Sequence, residues 1–146
     1  MTPAATGFRG AAGAALTGPP RSGEQVFPGR PEQVSAARRF VAGLLAGAPV
    51  ADDAILCVSE LAGNCIRHSA SGYPGGTFTV RVELHEGDYV WLEVADQGGP
   101  WRLSAPDGRV HGLEIVRRLA SESVVAGSAF TGWEAWARLD WPGRGF

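Results

Sequence analysis

Residues 52–69 read DDAILCVSELAGNCIRHS, and this stretch decides the fold. At about 100° per residue its apolar side chains fall in one broad arc of a helix, formed by Ala54, Ile55, Val58, Leu61, Ala62, Cys65 and Ile66. Glu60, Asn64 and Arg67 fall on the opposite side. The pattern predicts an amphipathic helix that packs its apolar arc against a core.

The polar side of this helix aligns a carboxylate, a carboxamide and a guanidinium, because residues spaced i, i+4 and i, i+7 stack on one side of a helix. Such a stripe usually meets water. The same groups in a row could also act on a ligand. The stretch alone leaves both interpretations open.

Length and charge narrow the classes of function. The 146 residues predict one domain with one core. The net charge is −2 and no basic patch stands out, which argues against nucleic acid or an anionic membrane as the main partner. All 13 basic residues are arginines, so the lysine that a P-loop requires is missing.

The N-terminal region differs in composition from the rest. Residues 1–23 are rich in Ala, Gly, Thr and Pro without helical or strand periodicity, so we expect a disordered tail and then one domain over residues 24–146. No secretory signal and no run of about 18 apolar residues occurs. Cys57 and Cys65 would lie about 12 Å apart on one helix, too far for a disulfide. We therefore expect a cytoplasmic protein with reduced thiols.

Two elements precede the central helix. Residues 25–28, Gln-Val-Phe-Pro, predict a short edge strand, where a proline is tolerated because its missing N–H faces outward. Pro31 suits the first turn of a helix, and the apolar period of 3.6 residues runs from Val34 to Leu45 before Gly47 and Pro49 end it.

Two strands follow the central helix. Residues 77–84 alternate apolar and polar side chains, which predicts a strand buried on one face. In the strand at residues 89–96, Asp96 shares the inward face with Val90, Leu92 and Val94. A carboxylate taken out of water needs hydrogen-bond donors. Asp96 therefore either caps the glycine turn at residues 97–100 or awaits a donor from a ligand.

A long loop and a third helix come next. Residues 97–111 contain several glycines and prolines and are unusually long for a connection between packed elements, as in a lid. Leu113, Val116, Leu119 and Ala120 mark a helix that begins near Gly112. Free N–H groups at such a start suit a phosphate, although Gly112 could equally be a packing glycine. Residues 123–126 and 132–139 predict two final strands, the second flanked on both sides.

Three separated motifs occur in a fixed order: residues 60–69 (ELAGNCIRHS), residues 96–100 (DQGGP) and residues 112–120 (GLEIVRRLA). They resemble the N box and the two glycine boxes of the GHKL ATP-binding superfamily, which includes sensor histidine kinases, DNA gyrase and the large heat-shock chaperones. The chain is most similar to the small bacterial anti-sigma-factor serine/threonine kinases. The likeness covers about residues 24–141.

The resemblance implies an α+β fold, a two-layer α/β sandwich in which about three helices cover one face of a mixed, mostly antiparallel sheet. It also implies ATP with Mg²⁺ as cofactors. Asp96 would accept a hydrogen bond from the adenine amino group, Asn64 would give an oxygen to Mg²⁺, and Glu60 would be the general base for an attacking hydroxyl. The remaining ATP-binding candidates are Arg67, Gly98, Arg109, Gly112, Leu113 and Thr131.

The chain departs from the family pattern in the loop region. Gly98-Gly99-Pro100 lacks the proline between glycines that is usual in relatives. Arg109-Val110-His111 stands where relatives usually have an arginine or histidine flanked by glycine, so a lid would differ in shape. Thr131 stands where relatives have a longer polar stretch that ends in a nucleotide contact. We interpret His68 and His111 as helix-end or lid residues, because neither has a nearby second ligand at a suitable spacing.

Two classes of function follow from the resemblance. The first is an anti-sigma factor with serine/threonine kinase activity toward an anti-anti-sigma partner, which also sequesters a sigma factor and can form a homodimer. The second is a regulatory module that captures a partner without phosphoryl transfer. The presence of both Glu60 and Asn64 favours the first, since a module that only binds nucleotide needs no base. A third interpretation is an ordinary α/β domain in which the motifs are coincidental.

Overall fold

The computed structural model describes residues 21–98, 111–128 and 130–143. In chain order its elements are β1 (Arg21–Pro28), α1 (Glu32–Leu44), α2 (Ala51–His68), a short 3₁₀ turn (Ala70–Gly72), β2 (Thr77–His85), β3 (Tyr89–Ala95), α3 (His111–Leu119), β4 (Glu122–Ser128) and β5 (Gly132–Asp140). Each predicted helix and strand is present, with ends that differ by a few residues.

The strands form one five-stranded sheet in the order β1-β2-β3-β5-β4. All of its pairings are antiparallel, for example Val80 opposite Val94 and Leu92 opposite Ala137. β1 lies at one edge, as its Pro28 predicts, and β5 is flanked by β3 and β4. The predicted α+β two-layer sandwich is confirmed.

The helices pack on one face of the sheet. The apolar arc of α2 supplies Ala54, Val58, Leu61 and Cys65 to the main core, where they meet the inward side chains of β2, β3 and β5. α2 also packs against both α1 and α3. Burying this arc is the main physical reason for the helix, because the hydrophobic effect scales with the apolar area removed from water.

The other face of the sheet holds a second, smaller cluster formed by Tyr89, Trp91 and Trp136. β3 is therefore buried on both faces, whereas β2 alternates between buried and half-buried residues as predicted. Glu93, on the same face as Trp91, is also buried. The alternation in β2 did not predict this second cluster.

Some predicted boundaries change. β1 begins at Arg21, so residues 21–23, which we expected in the tail, belong to a strand; residues 1–20 lie outside the described part of the chain. Cys57 and Cys65 are free thiols, as predicted, and both are buried. Burial, with the nearby charge of Asp53, raises the pKa of Cys57 to about 12. Within the described residues, none of the helices has both the length and the apolar character required to cross a bilayer.

Candidate functional site

The polar stripe of α2 is not uniformly exposed. Arg67 is exposed and Glu60 is half-buried, but Asn64 is only 1% exposed. The interpretation of the stripe as a solvated face is therefore wrong for Asn64. A buried carboxamide requires hydrogen-bond partners on both of its polar atoms.

Asn64 finds a protein partner for one of these atoms. Nη2 of Arg67 donates to its Oδ1 at 3.1 Å. The guanidinium reaches Asn64 across Gly63, where an added Cβ would lie 2.9 Å from Nη1 of Arg67. Nδ2 of Asn64 is buried and has no hydrogen-bond partner among the described residues. An unpaired buried N–H group costs about 1–3 kcal/mol, so Asn64 is a candidate for contact with a ligand acceptor.

Asp96 joins two strand ends through its carboxylate. Its Oδ1 accepts hydrogen bonds from the backbone N–H groups of Gly98, at 2.8 Å, and Trp133, at 2.9 Å. Gly98 has a φ of +87°, which glycine adopts without strain. The interpretation of Asp96 as a cap on the glycine turn is thus correct. A carboxylate has about four acceptor positions, so this role still leaves capacity for a further donor.

Hydrogen bonds also fix the end of α2 to the turn after Asp96. The backbone N–H of Ala70 donates to the carbonyl of Gly98 at 2.8 Å, and that of Gln97 donates to Oγ of Ser71 at 3.0 Å. The pKa of Cys65, the neighbour of Asn64, is raised well above its usual value, first by burial and then by the charge of Asp96. The fold therefore brings the C-terminal end of α2 and the turn at Gln97 and Gly98, here called the Asp96 turn, together.

Gly132 and Trp133 belong to this arrangement, although the sequence did not indicate them. Gly132 has a φ of +97°, and an added Cβ would lie 2.6 Å from the carbonyl oxygen of Asp96. The close approach lets the Trp133 amide reach Asp96. The only signal in the sequence is the glycine at the start of a strand, which often marks close contact between backbones.

Glu60 faces a different space. A groove of about 400 Å³ lies between the start of α1 and the outer side of α2, and its lining includes Val34, Ser59, Glu60, Gly63 and Arg67. Among described residues, its lining includes neither Asn64 nor Asp96. The structure thus brings Glu60 and Arg67 into one groove. Asn64 is buried in the C-terminal half of α2, and Asp96 directly follows β3.

Comparison with protein families decides the classification. The family model described as a histidine kinase-like ATPase domain matches residues 27–130, more than two thirds of the chain. The chain belongs to this family. The match includes the N-box helix and the Asp96 turn of the histidine kinase-like ATPase domain, and it confirms the resemblance to the GHKL superfamily. A search of the curated proteins finds no match for the chain.

The other ATP-binding residues that the sequence predicted lie in different parts of this histidine kinase-like ATPase domain. Leu113 is half-buried on α3 and, with Leu61, lines a cavity of about 200 Å³ between α2, α3 and β4. Gly112 is the second residue of α3. Thr131 is exposed, and its hydroxyl group is 2.9 Å from Oγ of Ser128. Arg109 lies outside the described residues.

The donor set fits a nucleotide better than a resident metal. Within the described residues no group of three or more His, Cys, Asp and Glu side chains could hold a metal ion. Asn64 offers a buried N–H with no partner among these residues, which suits a phosphate oxygen. ATP binding, the coarse function that the family supports, is compatible with these groups.

Proposed function

We propose that this domain binds ATP between the C-terminal half of α2, the Asp96 turn and the start of α3, and transfers the γ-phosphoryl group to a serine or threonine of an anti-anti-sigma partner. The observation that carries the proposal is the buried carboxamide of Asn64, whose Nδ2 has no partner among the described residues. Because α2 is tied to the Asp96 turn, a single ligand can contact both.

Asp96 is proposed to recognise adenine. Its Oδ1 is oriented by the amides of Gly98 and Trp133, so the carboxylate is fixed before a ligand arrives. A fixed acceptor loses little entropy on binding. The amino group of adenine would donate a hydrogen bond to this carboxylate, whereas guanine would present a carbonyl oxygen at the corresponding position.

Asn64 and Arg67 are proposed to contact the phosphates. Mg²⁺, when bound with ATP, would neutralise phosphate charge and take one or two protein oxygens. Oδ1 of Asn64 is the protein oxygen suited to it, but this oxygen now accepts a hydrogen bond from Arg67. Two cations at one oxygen repel each other. Arg67 is exposed, so it can turn toward a phosphate at little cost when the nucleotide binds.

Glu60 is proposed to be the general base. It would take the proton of the partner's hydroxyl group as that oxygen bonds to the γ-phosphorus. The bond between the γ-phosphorus and the β–γ bridging oxygen would break, and its electron pair would leave with ADP. The groove that contains Glu60 opens on the outer side of α2, where a partner's segment can enter. Sequestering of a sigma factor and homodimer formation are parts of the same proposal.

The second candidate is a module that binds ATP and a partner without catalysis. The observation that favours it is the groove around Glu60, whose lining includes neither Asn64 nor Asp96 among the described residues. A general base on one side of α2 and nucleotide contacts on another side would not act together in one phosphoryl transfer.

Phosphate transfer separates the two candidates. The protein is incubated with Mg²⁺, ATP labelled at the γ-phosphate and the anti-anti-sigma proteins of the same genome. We expect label on a serine or threonine of one of them, and its loss in Glu60→Gln while ATP binding is retained. Ser59→Ala, a change in the adjacent groove residue, is the matched control and should leave transfer intact. Tight ATP binding without label on any partner would reject the kinase and leave the module.

A further inference from the structure

The face of the sheet opposite the helices, here called the open face, carries the cluster of Tyr89, Trp91 and Trp136. By the two-residue period of strands, the side chains of Arg81, Glu93 and Arg138 point to the same side. The guanidinium of Arg81 lies 5.5 Å from the ring centre of Trp91, and that of Arg138 lies 4.5 Å from that of Tyr89. The open face is thus a surface of aromatic and charged groups.

The burial of this face requires more than its own side chains. Trp91 and Glu93 are each 1% exposed. Arg81 covers part of the Trp91 ring. Side chains on one face of a sheet stand side by side and leave their outer ends open, so the nearly complete burial of a central tryptophan points to a further covering segment. The three described helices contribute to the main core on the opposite face. A cover is needed that residues 21–98, 111–128 and 130–143 do not supply.

A second observation also points to a cover. Nε1 of Trp91 is buried and has no hydrogen-bond partner among the described residues. The indole N–H is a donor only, and it normally finds an acceptor when it is buried. A main-chain carbonyl group of a covering segment would satisfy it.

The register of the sheet indicates which segment is close enough. Ser22 pairs with Glu83, and Glu83 pairs with Trp91, so these three residues form one row across the sheet. The row starts at Ser22, two residues after residue 20. Two strand spacings amount to about 10 Å, and 20 residues can extend over about 66 Å. Residues 1–20 therefore reach the open face easily. Residues 99–110 join β3 to α3, and α3 packs against α2 on the opposite face of the sheet.

Charge and composition agree with this choice. The open face carries Glu24, Glu83, Glu93 and Glu134, against the two arginines named above. Arg9 is the only charged side chain in residues 1–20, which otherwise offer apolar groups such as Phe8 and Leu16 and many small residues. A segment with one cation and no carboxylate complements an acidic aromatic surface.

We propose that residues 1–20 bind across the open face, cover Trp91 and Glu93, and direct Arg9 toward the glutamates. Composition predicts that this segment is disordered when isolated, because it cannot form a core of its own. The open face supplies the apolar surface that it lacks. A partner protein that used this face would first have to displace the segment. The inference does not depend on the nucleotide site.

Paramagnetic relaxation in the full-length chain tests the proposal. A nitroxide is attached at Ala12→Cys, and amide signals are compared between its oxidised and reduced forms. The native Cys57 and Cys65 are buried with raised pKa values and should react slowly, which mass spectrometry of the unmodified chain checks. We expect the amides of Glu83, Trp91 and Arg138 to lose more than half of their intensity. A label at Ala46→Cys, an exposed residue after α1, is the matched control and should spare them.

Two further measurements decide which segment or molecule covers the open face. In Ala12→Cys combined with Arg9→Glu, the loss of intensity should be at least halved, because the cation would become another carboxylate. Labelled chains without ¹⁵N are also mixed with unlabelled ¹⁵N chains. Broadening of the open face only in this mixture would show that a second copy covers it, and would overturn the proposal. Open-face signals unaffected by the Ala12 label would overturn it as well.

Discussion

The backbone N–H of Trp133 donates a hydrogen bond of 2.9 Å to Oδ1 of Asp96, a residue 37 positions earlier. In return, the N–H of Asp96 donates to the carbonyl of Trp133 at 2.8 Å. The carboxylate that we propose for adenine recognition thus also joins the end of β3 to the start of β5. Structural and binding effects of Asp96 can be separated, because asparagine keeps an oxygen acceptor and alanine does not.

Asp96→Ala should destabilise the domain more than Asp96→Asn. The alanine variant leaves the N–H groups of Gly98 and Trp133 without their acceptor, which should lower the free energy of unfolding by about 2–4 kcal/mol. The asparagine variant should lose about 1 kcal/mol, since only the charge-assisted part of two bonds is lost. Urea unfolding followed by circular dichroism measures both. Equal losses would mean that these two bonds contribute little.

Gly132→Ala tests the close approach between β5 and the Asp96 backbone. The positive φ alone should cost about 1–2 kcal/mol for any residue with a Cβ. The contact of 2.6 Å with the carbonyl of Asp96 should bring the total to about 3 kcal/mol or more. Gly143→Ala is the matched control, because Gly143 has a φ of +83° and no heavy atom within 4 Å of an added Cβ. Similar losses in the two variants would contradict the proposed contact.

Arg67→Ala tests competition for Oδ1 of Asn64. Without the guanidinium, the oxygen is available to Mg²⁺ from the start, while a phosphate contact is lost. We expect weaker ATP binding without Mg²⁺ and a several-fold larger gain in ATP affinity on adding Mg²⁺ than in the unmodified protein. Isothermal calorimetry provides both affinities. Arg39→Ala, which removes an exposed arginine of α1, should leave the Mg²⁺ gain unchanged, and an unchanged gain in Arg67→Ala would argue against competition.

The raised pKa of Glu93 predicts that the stability of the domain depends on pH. Burial, reinforced by Glu134 and opposed by Arg81, raises the pKa of Glu93 to about 7. The folded state therefore binds this proton more tightly than the unfolded state. The contribution of Glu93 to stability is fully present below about pH 4 and is lost as the pH rises through about 7, above which stability no longer changes with this group. Glu93→Gln should remove this decline. At pH 8 the variant should be more stable by on the order of 1–3 kcal/mol.

The comparison for Glu93 uses unfolding by urea between pH 4 and pH 8. Glu86→Gln is the control, because Glu86 is exposed in the turn after β2 and should leave the slope unchanged. A decline of the same size in Glu93→Gln and in the unmodified protein would assign the pH dependence to other groups.

Local patterns were sufficient for the elements of the fold. The period of residues 52–69 predicted α2 to within one residue at each end, and the alternation around Val90 correctly directed Asp96 inward. These features depend on neighbours in sequence, whose spacing sets the face that they share.

Contacts between distant segments were not predictable in the same way. Nothing in the sequence near Asp96 specifies the amide of Trp133, since that bond depends on the pairing of β3 with β5. Asn64 lies at the border of a polar stripe, and packing rather than helical period decides whether such a position meets water. The same holds for Trp91, whose burial depends on what covers the open face.

Adenine recognition by Asp96 is tested most directly by a calorimetric titration of the protein and of Asp96→Asn with ATP and GTP, with and without Mg²⁺. We expect the unmodified protein to bind ATP at least tenfold more tightly than GTP. Asp96→Asn, folded and only slightly less stable, should lose this preference. ATP and GTP affinities in Asp96→Asn equal to those of the unmodified protein would show that Asp96 does not contact the nucleotide and would contradict its proposed role in adenine recognition.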